Sequence, residues 1–200
     1  MRKSAAALTV SLLVLASACS PRDFLTRRLA FDLIAGSDTF KAQQQFWLRT
    51  GVVSNKEYTS PEYLVLAHHG WIIGAGTPCG GTITPPPCWE VTLTPLGVDA
   101  LRDWVPANAA ATPYFSVPVA RRELLAVAGI SKNGNRADVD FRWRWVALNE
   151  IGEALYAGTG EYSSTVGFVQ YDDGWRVLEA SSPKSSQHLD DALKNAEPLR

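Results

Sequence analysis

The chain has 200 residues, of which 46% are hydrophobic and 20% are charged, and its formal net charge at pH 7 is −1. A chain of this length and apolar content can bury a core in one or two domains, which excludes a disordered tether. The balanced charge provides no drive towards nucleic acid or anionic lipid, so we expect no nucleic acid partner.

The first twenty residues have the features of an export signal. Arg2 and Lys3 precede a charge-free apolar run over residues 5–16, which is too short to span a bilayer, and the small residues Ser17 and Ala18 follow it. A basic start, a short apolar core and a small-residue exit are typical of a secretory signal peptide. We therefore predict a signal peptide over residues 1–18 and an exported protein.

The end of this signal, Ala16-Ser17-Ala18-Cys19, resembles the lipobox of bacterial lipoproteins, although that family usually has Leu at the place of Ala16. The resemblance implies that Cys19 carries acyl chains such as palmitate, becomes the mature N-terminus and attaches the protein to the membrane. Ser20 in place of Asp implies the outer membrane of the bacterial cell envelope. Cleavage after Ala18, with Cys19 left as a bare thiol, is the alternative.

The two other cysteines, Cys79 and Cys88, bracket a loop rich in Gly and Pro. An even pair that is close in sequence and in an oxidising compartment favours a disulfide across the loop, although two reduced buried thiols would also fit. Neither cysteine belongs to a Cys-x-x-Cys pair, and no histidine lies at ligand spacing from them. We therefore predict no metal site and no cofactor.

Helical spacing of apolar residues predicts two helices after the signal. The first has its apolar residues four positions apart, at Leu25, Leu29 and Leu33. The second follows Gly36-Ser37 and ends at Gly51, and its inward positions are Phe40, Gln44, Trp47 and Leu48.

A helix, a hairpin and a further helix are predicted next. Ser60 is a capping residue and Pro61 suits the first helical position, so we expect a helix from Pro61 to His69. Strands on either side of the cysteine loop form the hairpin. Thr94-Pro95 then begins the further helix.

This order of elements resembles the winged-helix pattern over residues 58–104. The match lies in Gly70-Trp71-Ile72 after the helix and in the Leu-Thr-x-x-Gly segment that ends at Gly97. Winged helices that bind DNA carry Lys or Arg on the recognition helix and wing, whereas this chain has neither from Glu57 to Leu101. The resemblance therefore implies the shape of a winged helix without its nucleic acid partner.

Strict alternation predicts a sheet in the C-terminal half. Charged residues alternate there with Ala137, Val139, Phe141, Trp143 and Trp145. A partner strand over about residues 121–131 is joined to this strand by Asn133-Gly134. A second hairpin turns at Asp172-Asp173-Gly174, and the segment 171–177 resembles the last hairpin of cystatin-like and NTF2-like sheets.

Taken together, these signals predict an α+β fold in which N-terminal helices with a winged-helix-like hairpin module are followed by a C-terminal antiparallel β-sheet. The expected ranges are 19–105 for the first domain, 106–113 for a linker, 114–180 for the sheet and 181–200 for a tail with a short surface helix. A weak internal repeat aligns residues 91–101 with 145–155, because both place a strand before a Leu/Ile-Gly-x-x-Ala-Leu turn. Either a duplication of this segment or the similar residue requirements of all strand-to-helix turns would explain the repeat.

Polar side chains give no catalytic constellation, so no catalytic residue is predicted. His68 and His69 are adjacent, and on a helix they point about 100° apart, which suits a role at the helix end better than joint chemistry. Asp138 and Asp140 share a strand face at a spacing that could suit paired carboxylates. Arg142 and Arg144 continue that face, so a row of solvent-exposed charges along the strand is the simpler interpretation.

Trp143 and Trp145 are the candidate ligand-binding residues. They share the other face of the strand, where their aromatic rings could form the bottom of a ligand pocket, with core packing as the alternative.

The leading functional hypothesis is a lipid-anchored, non-enzymatic envelope protein that binds a protein partner or supports an assembly. A binding module for a small apolar or lipid ligand on the C-terminal sheet is the alternative, and an envelope hydrolase is the second alternative.

Overall fold

The computed structural model describes residues 24–80, 87–104, 114–156, 158–179 and 188–199. The signal peptide, Cys19, the linker 106–113 and the Ser/Pro stretch 181–187 lie outside these residues. The predictions made for them, and the domain boundaries that depend on them, therefore stay predictions.

The described chain contains seven short helices and nine strands. The helices are α1 Arg27–Gly36, α2 Asp38–Lys41, α3 Asn55–Tyr58, α4 Pro61–His68, α5 Pro95–Ala100, α6 Glu150–Tyr156 and α7 Leu189–Lys194. The strands are β1 Gln44–Arg49, β2 Gly51–Ser54, β3 Ile72–Pro78, β4 Pro87–Leu93, β5 Tyr114–Asn133, β6 Arg136–Ala147, β7 Tyr162–Tyr171, β8 Gly174–Val177 and β9 Glu197–Pro198.

These strands form two antiparallel sheets. The large sheet has six strands in the order β1-β5-β6-β7-β8, with β9 also paired to β7, and the small sheet has the order β2-β4-β3. The large sheet is curled into a half-barrel. Of the described residues, 47% lie in strands and 30% in helices.

The predicted fold class is therefore wrong. The molecule is built mainly of antiparallel sheet rather than of an N-terminal helical, winged-helix-like module followed by a sheet. In the segment compared with a winged helix, α3 has four residues, α4 eight and α5 six. Helices this short cannot form a helical core of their own, and they lie against the strands instead.

The second predicted helix is the clearest local error. Residues 38–41 make a single turn, and Gln44–Arg49 is strand β1 of the large sheet. Phe46 and Leu48 are buried, whereas Trp47 between them is exposed. This alternation has the period of a strand. A helix was predicted because the spacing placed Trp47, which is exposed, among the inward residues.

The cap signals were read correctly. The Ser60 hydroxyl accepts a hydrogen bond from the Tyr63 amide at the start of α4, and the Thr94 hydroxyl accepts one from the Gly97 amide at the start of α5. Both hairpins of the C-terminal half are also confirmed. The first turn lies at Gly134 and the following residue, one position later than predicted, and Gly134 has a φ of 60°.

Buried apolar side chains form two clusters. The first joins α1, α2 and α7 to β5–β8, through residues such as Ile34, Phe40, Phe141 and Leu189. The second joins β1, the small sheet, α4 and α6 to the beginning of β5, through residues such as Leu48, Leu66 and Ile151. Helix α7 corresponds to the short surface helix predicted in the tail, but its apolar face is buried in the first cluster.

The weak internal repeat extends to the hydrogen bonds. At the end of β4 the Thr94 hydroxyl caps Gly97 and donates to the Gly70 carbonyl, and at the end of β6 the Asn149 side chain caps Gly152 and donates to the Pro118 carbonyl. Each glycine lies against a neighbouring chain segment. A Cβ atom added to Gly97 would lie 1.9 Å from the Trp71 carbonyl oxygen, and one added to Gly152 would lie 1.9 Å from the Val119 oxygen.

The predicted disulfide is confirmed. Cys79 and Cys88 are bonded with their Cα atoms 5.2 Å apart, and the bond joins the ends of β3 and β4 at the cysteine loop. Closing a loop of this length lowers the conformational entropy of the unfolded chain, which raises the free energy of unfolding by about 2–3 kcal/mol. The bond therefore stabilises a hairpin tip that is rich in Gly and Pro.

We predict that Gly97→Ala and Gly152→Ala each lower the free energy of unfolding by at least about 2 kcal/mol, because the new methyl group overlaps a backbone carbonyl. Chemical denaturation monitored by circular dichroism measures this change. Gly36→Ala is the matched control, since a Cβ at Gly36 meets nothing within 4 Å. An equal effect of all three substitutions would show that the close approaches do not constrain the fold.

Candidate functional site

Trp143, one of the two predicted ligand residues, belongs to the core. It is 2% exposed, and its indole nitrogen donates to the Ser164 hydroxyl at 3.0 Å. That hydroxyl donates in turn to the Ala192 carbonyl at 2.9 Å. The two bonds join β6, β7 and α7 inside the protein and leave the Trp143 nitrogen committed to the fold.

Trp145, the other predicted residue, is half-buried and lies under a cation. The guanidinium carbon of Arg122 is 4.8 Å from the centre of the Trp145 ring and 5.8 Å from that of Trp143. Tyr156 contacts Trp145 from α6, with ring centres 5.4 Å apart. The inner face of the sheet therefore offers a guanidinium above its tryptophans, not bare aromatic rings.

Arg122 has no acidic partner within the described part of the chain. Its Nη1 donates to the carbonyl oxygens of Thr39 in α2 and of Ala42 directly after this helix, both at 3.1 Å. Its Nε is buried without a hydrogen-bond partner there. Burial lowers the pKa of the Arg122 guanidinium, yet arginine keeps its charge in proteins. A positive charge is thus held in a half-buried position by neutral groups alone.

A pocket of about 280 Å³ opens beside this guanidinium, between α1, α2 and one edge of β5. The edge is open because β1 pairs with β5 only from Tyr114 to Ala120. Among the described residues, the next part of β5 pairs with β6 alone. The apolar walls of this Arg122 pocket are Phe31, Ala35, Phe40 and Leu124. Its charged walls are Lys41, Arg121, Arg122 and Glu123.

The charges around the Arg122 pocket do not balance. Glu123 is bound to Arg144 at 2.6 Å on the outer face of the sheet. Lys41 and Arg121, like Arg122, form no ion pair among the described residues. Because side chains alternate along β5, Arg121 leaves the same face as Glu123. Arg122 and Lys41 are therefore the two cations available on the inner side.

Asp138 and Asp140, which the sequence offered as paired carboxylates, lie on the exposed outer face of β6. The Thr165 hydroxyl donates to Asp140 at 2.7 Å. Further along the same face, Arg142 pairs with Glu161 at 3.2 Å. This arrangement is a solvated ladder of charges and polar groups across neighbouring strands.

His68 and His69 lie at the end of α4, as the sequence predicted. The His69 ring stacks on Trp71, with ring centres 4.6 Å apart. No ion pair joins either histidine to a carboxylate in the described residues, where no three His, Cys, Asp or Glu side chains come together as a metal site requires. In the same part of the chain, none of the helices is both long and apolar enough to span a bilayer.

A second cleft of about 270 Å³ lies beside Trp47 and Tyr63. The Tyr63 hydroxyl accepts from the Arg49 amide at 2.8 Å and lies 3.3 Å from the Glu57 carboxylate. Burial raises the pKa of Tyr63 to about 12, so the hydroxyl keeps its proton. The polar groups of this second cleft are thus used to hold β1 to α4. The Arg122 pocket, whose cations have no ion pair among the described residues, is therefore the better candidate site.

Sequence reasoning proposed Trp143 and Trp145, which do not line the Arg122 pocket, and missed Arg122, Lys41 and Phe40 as site residues. A signal for Arg122 was present, since a basic residue at an inward position of a predicted strand needs an explanation. Lys41 and Phe40 gave no such signal in the sequence, because their approach to β5 depends on α2.

Comparison with known proteins found nothing similar: no protein-family model matches the chain, and no curated protein and no solved structure gives a match.

Proposed function

We propose that the protein is a non-enzymatic binding module of the bacterial cell envelope, which holds a small ligand in the Arg122 pocket. The observation that carries this proposal is a pocket with apolar walls that opens beside the aromatic inner face of the large sheet. Small-molecule sites are typically concave and mostly apolar, with a few polar groups that set orientation. At about 280 Å³ this pocket suits a ligand smaller than most drug-sized molecules.

The surroundings of the pocket support a preformed site. Phe40 contacts Phe141 in the first core cluster, with ring centres 6.4 Å apart. Arg122 is held by two carbonyl oxygens and by the ring of Trp145. Because these groups are already ordered, ligand binding would not have to order them, which favours affinity in a small pocket.

The export signal adds the location to this proposal. A lipid on Cys19 would hold the binding module at the membrane, and two or more acyl chains are needed for stable attachment. The module would then meet its ligand in the periplasm or at the inner face of the outer membrane.

We predict that the purified protein retains a small molecule from an envelope extract, detected by mass spectrometry after gel filtration. Ala35→Phe, which fills the pocket from α1, should remove most of this ligand. Ala128→Phe is the matched control, because Ala128 is exposed on β5 and lies outside the pocket. Retention of the same molecule by Ala35→Phe, with an unchanged circular dichroism spectrum, would contradict the proposed function.

We also predict that Cys19→Ala releases a folded protein from the membrane, because the acyl chains have no other attachment point. Cell fractionation and the mass of the native N-terminus measure this effect. Cys79→Ala serves as the control and should leave the protein in the membrane fraction. A Cys19→Ala variant that stays in that fraction would rule out the lipid anchor.

A protein partner is the second candidate function, and the outer face of the small sheet favours it. Val52 of β2 and Ile73 of β3 are 51% and 62% exposed there, while their neighbours Val53 and Ile72 are buried. The two side chains flank Glu90 and Thr92 of β4 on this face, so a partner would contact two apolar side chains beside polar ones.

We predict that a photo-crosslinking residue at position 73 gives one discrete adduct in intact cells if this face binds a partner. The same residue at position 128, which is exposed on the large sheet, should give none. Val52→Glu should abolish the adduct, since a carboxylate cannot be buried against an apolar partner without large cost. Equal crosslinking from both positions would exclude this face as a specific surface.

A further inference from the structure

The ligand class of the Arg122 pocket follows from its charge. Three of its lining side chains are cations without an ion pair in the described chain, and its one carboxylate, Glu123, is bound to Arg144. Other arginines of the protein do have carboxylate partners, among them Arg49, Arg142 and Arg176. The pocket therefore gathers three cations and no carboxylate that is free to balance them.

The guanidinium of Arg122 is also incompletely hydrogen-bonded. Nη1 uses two carbonyl oxygens, which are neutral acceptors and leave the net charge in place. Nη2 has no hydrogen-bond partner among the described residues. A half-buried charge without a counterion is costly, and an anion that reaches Nη2 would relieve this cost.

We infer that the ligand is a small amphipathic anion, whose carboxylate lies between Arg122 and Lys41 and whose apolar body lies against Phe31, Phe40 and Leu124. This inference rests on the proposed function and names the chemistry of the ligand. Nη2 is the donor that can reach this head group, because Nη1 is bonded to two carbonyl oxygens and Nε is buried. A hydrogen bond from a guanidinium to a carboxylate is about twice as strong as one between neutral groups.

The apolar walls argue against an inorganic anion alone. Phe31, Ala35, Phe40 and Leu124 offer no hydrogen bonds from their side chains, so a fully hydrated ion would lose solvation against them without compensation. A cationic or neutral ligand would leave the charges of Arg122 and Lys41 uncompensated. An alkyl or aryl carboxylate satisfies both sides of the pocket.

Octanoate is a suitable probe, and 1-octanol has the same chain without the charge. We expect isothermal titration of the purified protein to show octanoate binding at least about tenfold more tightly than octanol, the usual size of a charge-assisted hydrogen bond. Inorganic phosphate should bind more weakly than octanoate. Raising the salt concentration should weaken the binding of octanoate and leave that of octanol unchanged.

Substitutions locate the head group. Arg122→Gln should weaken octanoate at least about tenfold and leave octanol unchanged. Lys41→Gln, at an exposed position, should weaken octanoate about two- to fivefold. Arg122→Lys should retain part of the preference for octanoate. Arg102→Gln is the control, because Arg102 is exposed, pairs with Asp99 and lies outside the pocket.

The outcomes distinguish a wrong ligand class from a wrong binding function. Equal binding of octanoate and octanol, insensitive to Arg122→Gln, would overturn the anionic ligand while supporting a small-molecule site. Phosphate that binds as tightly as octanoate would overturn the amphipathic ligand. Failure of both octanoate and octanol to bind would overturn the inference and count against the proposed function. If Arg122→Gln fails to fold, an octanoate affinity unchanged by Lys41→Gln overturns the inference instead.

Discussion

The arrangement of the molecule depends on strand β5, which changes its pairing partners along its length. It has twenty residues, and it pairs with β1 as far as Ala120 and with β6 from that residue onwards. Its first part supplies Phe115, Val117 and Val119 to the second core cluster. Its later part supplies Leu124 and Val127 to the first. A single strand therefore joins the two cores, and irregular pairing at Leu124–Ala126 and Val127–Gly129 accompanies the curl of the sheet.

The Arg122 pocket is a direct consequence of this change of partner. After Ala120 no strand of the described chain pairs with this edge of β5, and α1 and α2 cover it incompletely. A fully paired strand would have left no room beside Arg122. The unpaired edge also explains why the Arg122 guanidinium turns to the carbonyl oxygens of α2, since a half-buried donor must find acceptors close at hand.

The two strand-to-helix junctions show the same constraint applied twice. In both, a polar side chain bonds the helical glycine and a carbonyl of the neighbouring segment, so that the helix starts in close contact with that segment. Only a residue without a Cβ atom allows this approach. The sequence repeat that aligns residues 91–101 with 145–155 thus reflects a shared physical solution, whether or not the chain arose by duplication.

The sequence by itself determined features that depend on neighbouring residues. The caps at Ser60 and Thr94, the hairpins at Gly134 and Gly174 and the Cys79–Cys88 bond all need only a few residues in sequence, and all are present. Tertiary structure decided that residues 44–49 form strand β1. Their sequence fits a helix or a strand, and the strand forms because β5, about 70 residues later, supplies a pairing partner. Tertiary structure also decided the pocket, since Lys41 and Arg122 line one cavity only when α2 packs on the open edge of β5. Local patterns specify turns, caps and faces, whereas the pairing of distant segments specifies which charges are brought together without a counterion.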